Sequence, residues 1–250
     1  LMGTTDVVMD HQEKKELQRK FINPELCDIT EALVYTEPYN DERGRNRVFP
    51  PIADFVKEKL YEDQGLHCEV AKLKMDFMTR AQSLIHGDLH TGSIFINEES
   101  TKVFDPEFCF YGPMGYDIGN VIANMIFAWA NGDAAGAADF CKWVEDVLVD
   151  VINMTKEKME KYYDEHVTDT MCRNELYKKY YMDTIIEDTS AVAGLELIRR
   201  IVGMANVKDI TTIADEAKRA RAEKICITAA IDFIKNRSDK KCGKCFLKTL

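Results

Sequence analysis

The feature that most constrains this 250-residue chain is a change of period at Ser83. On either side, apolar residues recur at helical spacing. Between them stand three short runs, SLIHGD, SIFINEE and KVFDPEF. The second and third are joined by Glu98, Glu99, Ser100 and Thr101, a polar break of hairpin length. The expected order is therefore a helix, a loop, a β-hairpin and a second loop, all set in a helical body. That order limits the fold more than any single residue does.

Upstream, Pro50 and Pro51 force extended backbone and then permit a helix to start, since proline at the first helical position loses nothing. Helical spacing follows over residues 52–61 and 67–81, with Val70, Leu73 and Phe77 on one face. Residues 6–21 are dense in charge and predict a solvated helix. Residues 23–46, with Pro24, Pro38 and Gly44 among many acids, predict irregular surface chain. Past Gly115 the spacing predicts helices over 116–131, 133–160, 173–188, 190–204 and 213–235. Trp129 and Trp143 lie in apolar helical stretches and are expected in the core. Tyr162, Tyr163, Tyr180 and Tyr181, set among Lys and Glu, are expected at amphipathic helix edges. No internal repeat or low-complexity linker is present.

Composition narrows the partners. Hydrophobic residues make up 46% of the chain, enough for a sizeable core, and the formal net charge is −10. Such a surface repels phosphate backbones and anionic lipid, so neither nucleic acid nor a membrane face is an expected partner. An anionic nucleotide would need a local cationic or metal-bearing pocket. The longest apolar stretch, Val121 to Ala130, is too short to span a bilayer and is interrupted by Asn124. With no leader of the secretory kind, a cytoplasmic location and reduced thiols are expected for the eight cysteines. Cys242 and Cys245 form one CxxC in a lysine-rich tail, but a zinc site needs two more ligands at sensible spacing. They are expected to be incidental thiols.

Three carboxylates stand out by position. Asp88 follows an apolar run that ends in His86-Gly87, where glycine permits close approach to a substrate hydroxyl. Asp105 lies seventeen residues on, with Glu107 beyond the rigid Pro106. A hairpin of this length can return the chain alongside itself and bring Asp105 towards Asp88. Mg²⁺ wants oxygen ligands, usually one or two carboxylates with phosphates and water, and Asp105 and Glu107 suit that role. Phosphoryl transfer asks for such a metal and for a carboxylate that orients or deprotonates the attacking hydroxyl. Taken singly, a loop Asp caps a turn more often than it catalyses. Only the joint pattern, HGDLH followed by a hairpin and then FDPEF, is specific.

HGDLHTGSIFI together with VFDPEFCFYGPMGYDIGN closely resembles the 5-methylthioribose kinases, within the aminoglycoside phosphotransferase-like branch of the protein-kinase-like fold. The resemblance runs on through ELIRRIVGMANV and backwards through TDVVMDHQEKKELQRKFINPELCDITE. It implies a mainly α fold, the C-terminal lobe of a kinase-like protein with a short β-hairpin at the catalytic loop, over residues 1–250. It further implies ATP-dependent phosphorylation of 5-methylthioribose at its 1-hydroxyl, in methionine salvage, by a homodimer. In that reading Asp88 meets the sugar hydroxyl as catalytic base, and Asp105, Pro106 and Glu107 engage the nucleotide and Mg²⁺. Arg199 and Arg200 match the family's substrate-binding arginine pair. Ser93 stands where other members of the branch carry Asn, which would leave a weaker ligand for a second metal.

Neighbours on a helix point about 100° apart, so Arg199 and Arg200 are not equivalent. Arg200 lies four residues after Glu196, at ion-pair spacing, while Arg199 is flanked by Ile198 and Ile201. Arg199 is the expected substrate contact and Arg200 a supporting one. His86 is expected to pin the catalytic loop. Asp117 is expected to open a helix by taking up its free N–H groups, and to brace the loop in a kinase-like fold. No glycine-rich phosphate loop or lysine-bearing strand is found, so the nucleotide lobe is expected upstream of Leu1 and the isolated chain is expected not to turn over. Two other readings stay open: a sibling phosphotransferase acting on an aminoglycoside, choline or another hydroxylated metabolite, and a kinase-like remnant that binds without catalysing.

Overall fold

The computed structural model describes residues 1–250. In chain order the elements are α1 (His11–Lys20), α2 (Pro24–Leu33), α3 (Glu37–Asn40), α4 (Ala53–Val56) running into a π turn, and α5 (Gln64–Thr79). Then come the strands β1 (Ser83–Ile85), β2 (Ile94–Ile96), β3 (Thr101–Val103) and β4 (Phe110–Gly112). The helices α6 (Gly115–Ala135), α7 (Ala138–His166), α8 (Glu175–Val202), α9 (Lys208–Thr211), α10 (Glu216–Lys235) and α11 (Gly243–Leu247) complete the chain.

The helix ends follow from local chemistry. Asp10, Asp63, Asn174 and Asp215 each accept a hydrogen bond from a backbone N–H in the first turn of α1, α5, α8 and α10. Asn23–Asn46 is only partly irregular: Pro24 opens α2 and α3 starts with Glu37-Pro38, while residues 34–36 form a turn and 41–46 carry no regular structure. The prolines read as breakers sit where a helix tolerates them. The two helices expected over 173–204 are one, since Thr189 turns its hydroxyl to the Ile185 carbonyl and nothing there ends the helix.

The core is organised around α8. From Asp188 to Ile198 every residue is buried, the mark of a helix enclosed on all sides. Its small residues let neighbours in closely. A Cβ on Gly115 would lie 2.6 Å from Asp188 Cβ and Thr189 N, and one on Gly119 would lie 2.7 Å from the Thr189 carbonyl. On the opposite side the Ser190 hydroxyl donates to the Phe233 carbonyl of α10 at 2.9 Å. Ile122, Ile126, Phe127, Leu195, Leu197, Ile198 and Phe233 are fully enclosed, each contributing roughly 2 kcal/mol by burial.

The strands form two separate antiparallel pairs. β2 and β3 make the expected hairpin, Ile94 facing Val103 and Ile96 facing Thr101. β1 instead pairs with β4, a strand too short to carry a period in the sequence, with Ser83 opposite Gly112 and Ile85 opposite Phe110. This second pair ties the two ends of the loop region together. Trp129 is buried as expected, with its indole N–H donating to Glu145 Oε1 at 3.0 Å. Trp143 is 59% exposed, because its position on α7 faces outwards. Tyr163 and Tyr181 are core residues rather than helix edges. α1 is not fully solvated either: Lys14 is buried, paired with Asp6 and lying over the Tyr111 ring. No helix is long and apolar enough to cross a membrane.

Asp188 marks the junction of α6 and α8 and is ion-paired with Arg80. Burial pushes its carboxyl up to about 6, which Arg80 opposes without cancelling. The folded state then holds the proton more tightly than the unfolded chain, so this group's contribution to stability falls as pH rises from about 4 to about 6. Replacing Asp188 by Asn should remove that fall, by about 3 kcal/mol between pH 4 and 7. Urea unfolding of both proteins across this range checks it; parallel pH profiles would contradict it.

Candidate active site

The loop after β1 is shaped by Gly87, whose φ is +83° and whose Cβ position would lie 2.2 Å from the Phe108 carbonyl. No side chain fits there, so residues 86–88 run directly against residues 104–108. His86 fixes the same contact from its ring, Nε2 lying 2.9 Å from the Phe104 carbonyl. The backbone N–H groups of His86 and Gly87 both donate to Asp117, at 2.8 and 3.0 Å. Asp117 therefore spends its carboxylate on the loop and makes no capping bond within α6. Burial raises its carboxyl, and the two N–H bonds oppose that rise.

Asp88 is held beside the last turn of α8. Arg199 Nη2 lies 3.2 Å from Asp88 Oδ1, joining residues 111 positions apart. The guanidinium is itself clamped by Glu196, through Nε and, at 3.1 Å, through Nη2. Glu196 is buried, and its Oε1 also lies 3.8 Å from Arg200 Nε. Spacing alone pointed to Arg200 as its partner; the closer one is Arg199. Burial alone would lower the Arg199 pKa, but Glu196, Tyr116 and Asp88 outweigh it and fix the positive charge. Arg200 is more open than Arg199, with side-chain exposures of 30% and 17%. On the far side of Asp88, His90 Nε2 lies 3.9 Å from Oδ2.

The second loop places Asp105, Pro106 and Glu107 at the surface. Asp105 adopts φ +64°, a left-handed conformation that is unusual for a non-glycine residue and gathers at functional sites. Asn23 steadies the loop by donating to the carbonyls of Glu107 and Cys109, at 2.8 and 3.2 Å. No ion pair engages either carboxylate. Ser93 is buried, and its hydroxyl lies 3.3 Å from His90 Nε2. No three His, Cys, Asp or Glu side chains converge on one point anywhere in the chain. Two free carboxylates beside an open loop fit Mg²⁺ that shares its shell with phosphates and water, and do not fit an all-protein cage. For Ser93 to reach such a metal, its hydroxyl would have to leave His90.

The structure thus brings Asp88, Arg199 and Arg200 together through Glu196 and sets the Asp105–Glu107 loop against the Asp88 loop. Asn23 carried no expected role, and Glu196 only that of an ion-pair partner for Arg200, although its place between Leu195 and Leu197 marks a buried-type position. Removing one partner of a buried pair leaves a charge uncompensated. Glu196→Gln should lower stability by about 3 kcal/mol in urea unfolding, and a change below about 0.5 kcal/mol would contradict the clamp.

The chain is similar to known proteins over most of its length. The profile of the phosphotransferase enzyme family (APH) matches residues 20–148. The methylthioribose kinase of Bacillus pumilus (strain SAFR-032) is 36% identical over 235 residues, covering 94% of this chain and 58% of that protein. Methylthioribose kinase 1 of Oryza sativa subsp. japonica is 37% identical over 247 residues, covering 91% and 56%. That of Escherichia coli O45:K1 is 35% identical, covering 94% and 60%. The chain spans about 58% of the length of the curated relatives it matches. With a mainly helical architecture, a hairpin between two acidic loops and this match, the chain belongs to the phosphotransferase enzyme family, of protein-kinase-like fold.

Proposed function

We propose that this chain is the substrate-binding, catalytic-loop lobe of a methylthioribose kinase, which phosphorylates the 1-hydroxyl of 5-methylthioribose in methionine salvage. The observation that carries the reading is the 3.2 Å contact between Arg199 and Asp88, which unites the two motifs the substrate would need. The names of the relatives, aligned over most of this chain, supply the substrate.

Asp88 orients the attacking hydroxyl and takes its proton. Arg199 occupies Oδ1 and leaves Oδ2, with only His90 nearby, to meet the sugar. The remaining N–H groups of Arg199, with Arg200, hold the substrate's other oxygens. Arg200 turns on the same Glu196 and supports rather than duplicates Arg199. Asp105, Pro106 and Glu107 bind the nucleotide side, with the two carboxylates as ligands for Mg²⁺ and Ser93 as a lesser one. MgATP, when bound, supplies the phosphoryl group and offsets its negative charge. Asp117 and Gly87 keep the two loops in register, so that Asp88 needs no rearrangement when substrate arrives.

A β-rich nucleotide lobe, a cytoplasmic location and a homodimer of the complete protein belong to the same proposal. The exposed pair Phe140 and Trp143 on α7, with ring centroids 5.8 Å apart, is an apolar surface that supports self-association.

The test is steady-state kinetics of the gene's full product with MgATP and 5-methylthioribose. Asp88→Asn should lower kcat by roughly 10²- to 10⁴-fold while KM for the sugar moves only a few-fold. Turnover near that of the unaltered protein would overturn the role given to Asp88.

A further inference from the structure

The proposed reaction makes no use of residues 240–250, yet the segment is firmly held. Phe246 is fully buried, its ring 5.3 Å from that of Phe233. The Gly243 N–H donates to Asn153 Oδ1 of α7 at 3.0 Å. Lys240 is buried and ion-paired with Asp232, and Lys241 pairs with Glu187 at 2.6 Å. On this docked platform Cys242 immediately precedes α11, and Cys245 stands one turn on, its N–H bonded to the Cys242 carbonyl at 2.9 Å. Their Sγ atoms lie 2.8 Å apart.

The other six thiols are differently placed. Cys141 and Cys226 are buried, Cys27, Cys109 and Cys172 are half-buried, and Cys68 is exposed but solitary. Burial pushes the thiols of Cys27, Cys109, Cys141, Cys172 and Cys226 up, away from the reactive thiolate. Cys245 is held below the usual thiol range, chiefly by the hydrogen bond with Cys242 and further by Lys248. Cys242 is exposed, so the pair can be approached from solvent. No further His, Cys, Asp or Glu completes a metal site around them.

We propose that Cys242 and Cys245 form a redox-active dithiol that exchanges with low-molecular-weight disulfides and closes into an intrachain disulfide. The thiolate of Cys245 attacks one sulfur of glutathione disulfide, forming a mixed disulfide and releasing one glutathione thiolate. Cys242 gives up its proton and attacks the Cys245 sulfur, forming the Cys242–Cys245 bond and releasing the second glutathione. Two electrons pass from the dithiol to the glutathione disulfide: one protein disulfide and two glutathione thiols result. The docking of α11 keeps the two thiols in contact before exchange, so closure needs no search by the chain. Lys244 and Lys248 beside the pair favour approach of an anionic disulfide.

The experiment incubates the intact chain with glutathione disulfide, quenches with iodoacetamide and reads the peptides by mass spectrometry. Cys242 and Cys245 should disappear from the alkylatable pool together, on the order of tenfold faster than Cys68. Their peptide should be lighter by two hydrogens, and dithiothreitol should restore both thiols. In Cys242→Ser, Cys245 should instead accumulate as the mixed disulfide with glutathione, since the resolving thiol is gone. Loss of the two thiols no faster than loss of Cys68 would overturn the proposal. Stoichiometric capture of Zn²⁺ by the reduced pair, with exchange blocked, would overturn it in favour of a metal site.

Discussion

The rest of the structure depends on the close approach of α6 and α8 at Gly115 and Gly119. Any side chain at these positions would collide with the backbone or Cβ atoms of Asp188, Thr189, Val192 or Ala193. Two consequences follow from the one contact. The start of α6 is set so that Asp117, two residues on from Gly115, meets the N–H groups of His86 and Gly87. The far end of α8, eleven residues and about three turns beyond Asp188, is set so that Arg199 meets Asp88. A local packing requirement thereby fixes both the shape of the Asp88 loop and the charge that faces it.

The electrostatics of the site are local and oppose the surface around it. The chain as a whole carries a formal charge of −10, a field that disfavours anionic ligands. Glu196, Arg199, Arg200 and Asp88 form a linked group of two acids and two bases, so the site itself does not add to that field. Glu196 is enclosed and cannot relax into solvent; its attraction is spent on holding a guanidinium that would otherwise be costly to bury. The Asp105–Glu107 loop is the opposite case, two unpaired carboxylates at the surface. In the proposed reaction that asymmetry would let a preset charge pair meet the sugar while metal completes the nucleotide side.

Much of this was legible in the sequence where the signal is local. The motifs around Asp88 and Asp105–Glu107, the hairpin between them and the helical spacing beyond Gly115 all lie within short windows. What the sequence hid depends on partners far along the chain. β4 is three residues long and becomes a strand only because β1 lies beside it. The prolines at 24 and 38 read as breakers, although each sits at the start of a helix. Trp129 and Trp143 look alike as letters, but only the first faces the core. The four-residue spacing pointed from Glu196 to Arg200, yet Arg199, three residues on, is the closer partner, because both spacings are compatible with one helix face. The choice is made by Asp88, which draws Arg199 inward from another part of the chain.

The central claim is that Asp88 and Arg199 act as one unit on the sugar. The most direct test is a double-mutant cycle on 5-methylthioribose binding, measured by calorimetry in the gene's full product with Asp88→Asn, Arg199→Ala and both together. The account predicts a coupling energy of at least about 1 kcal/mol, with the second substitution costing less once the first is made. Losses that add to within about 0.3 kcal/mol would contradict it, placing the two residues in separate roles.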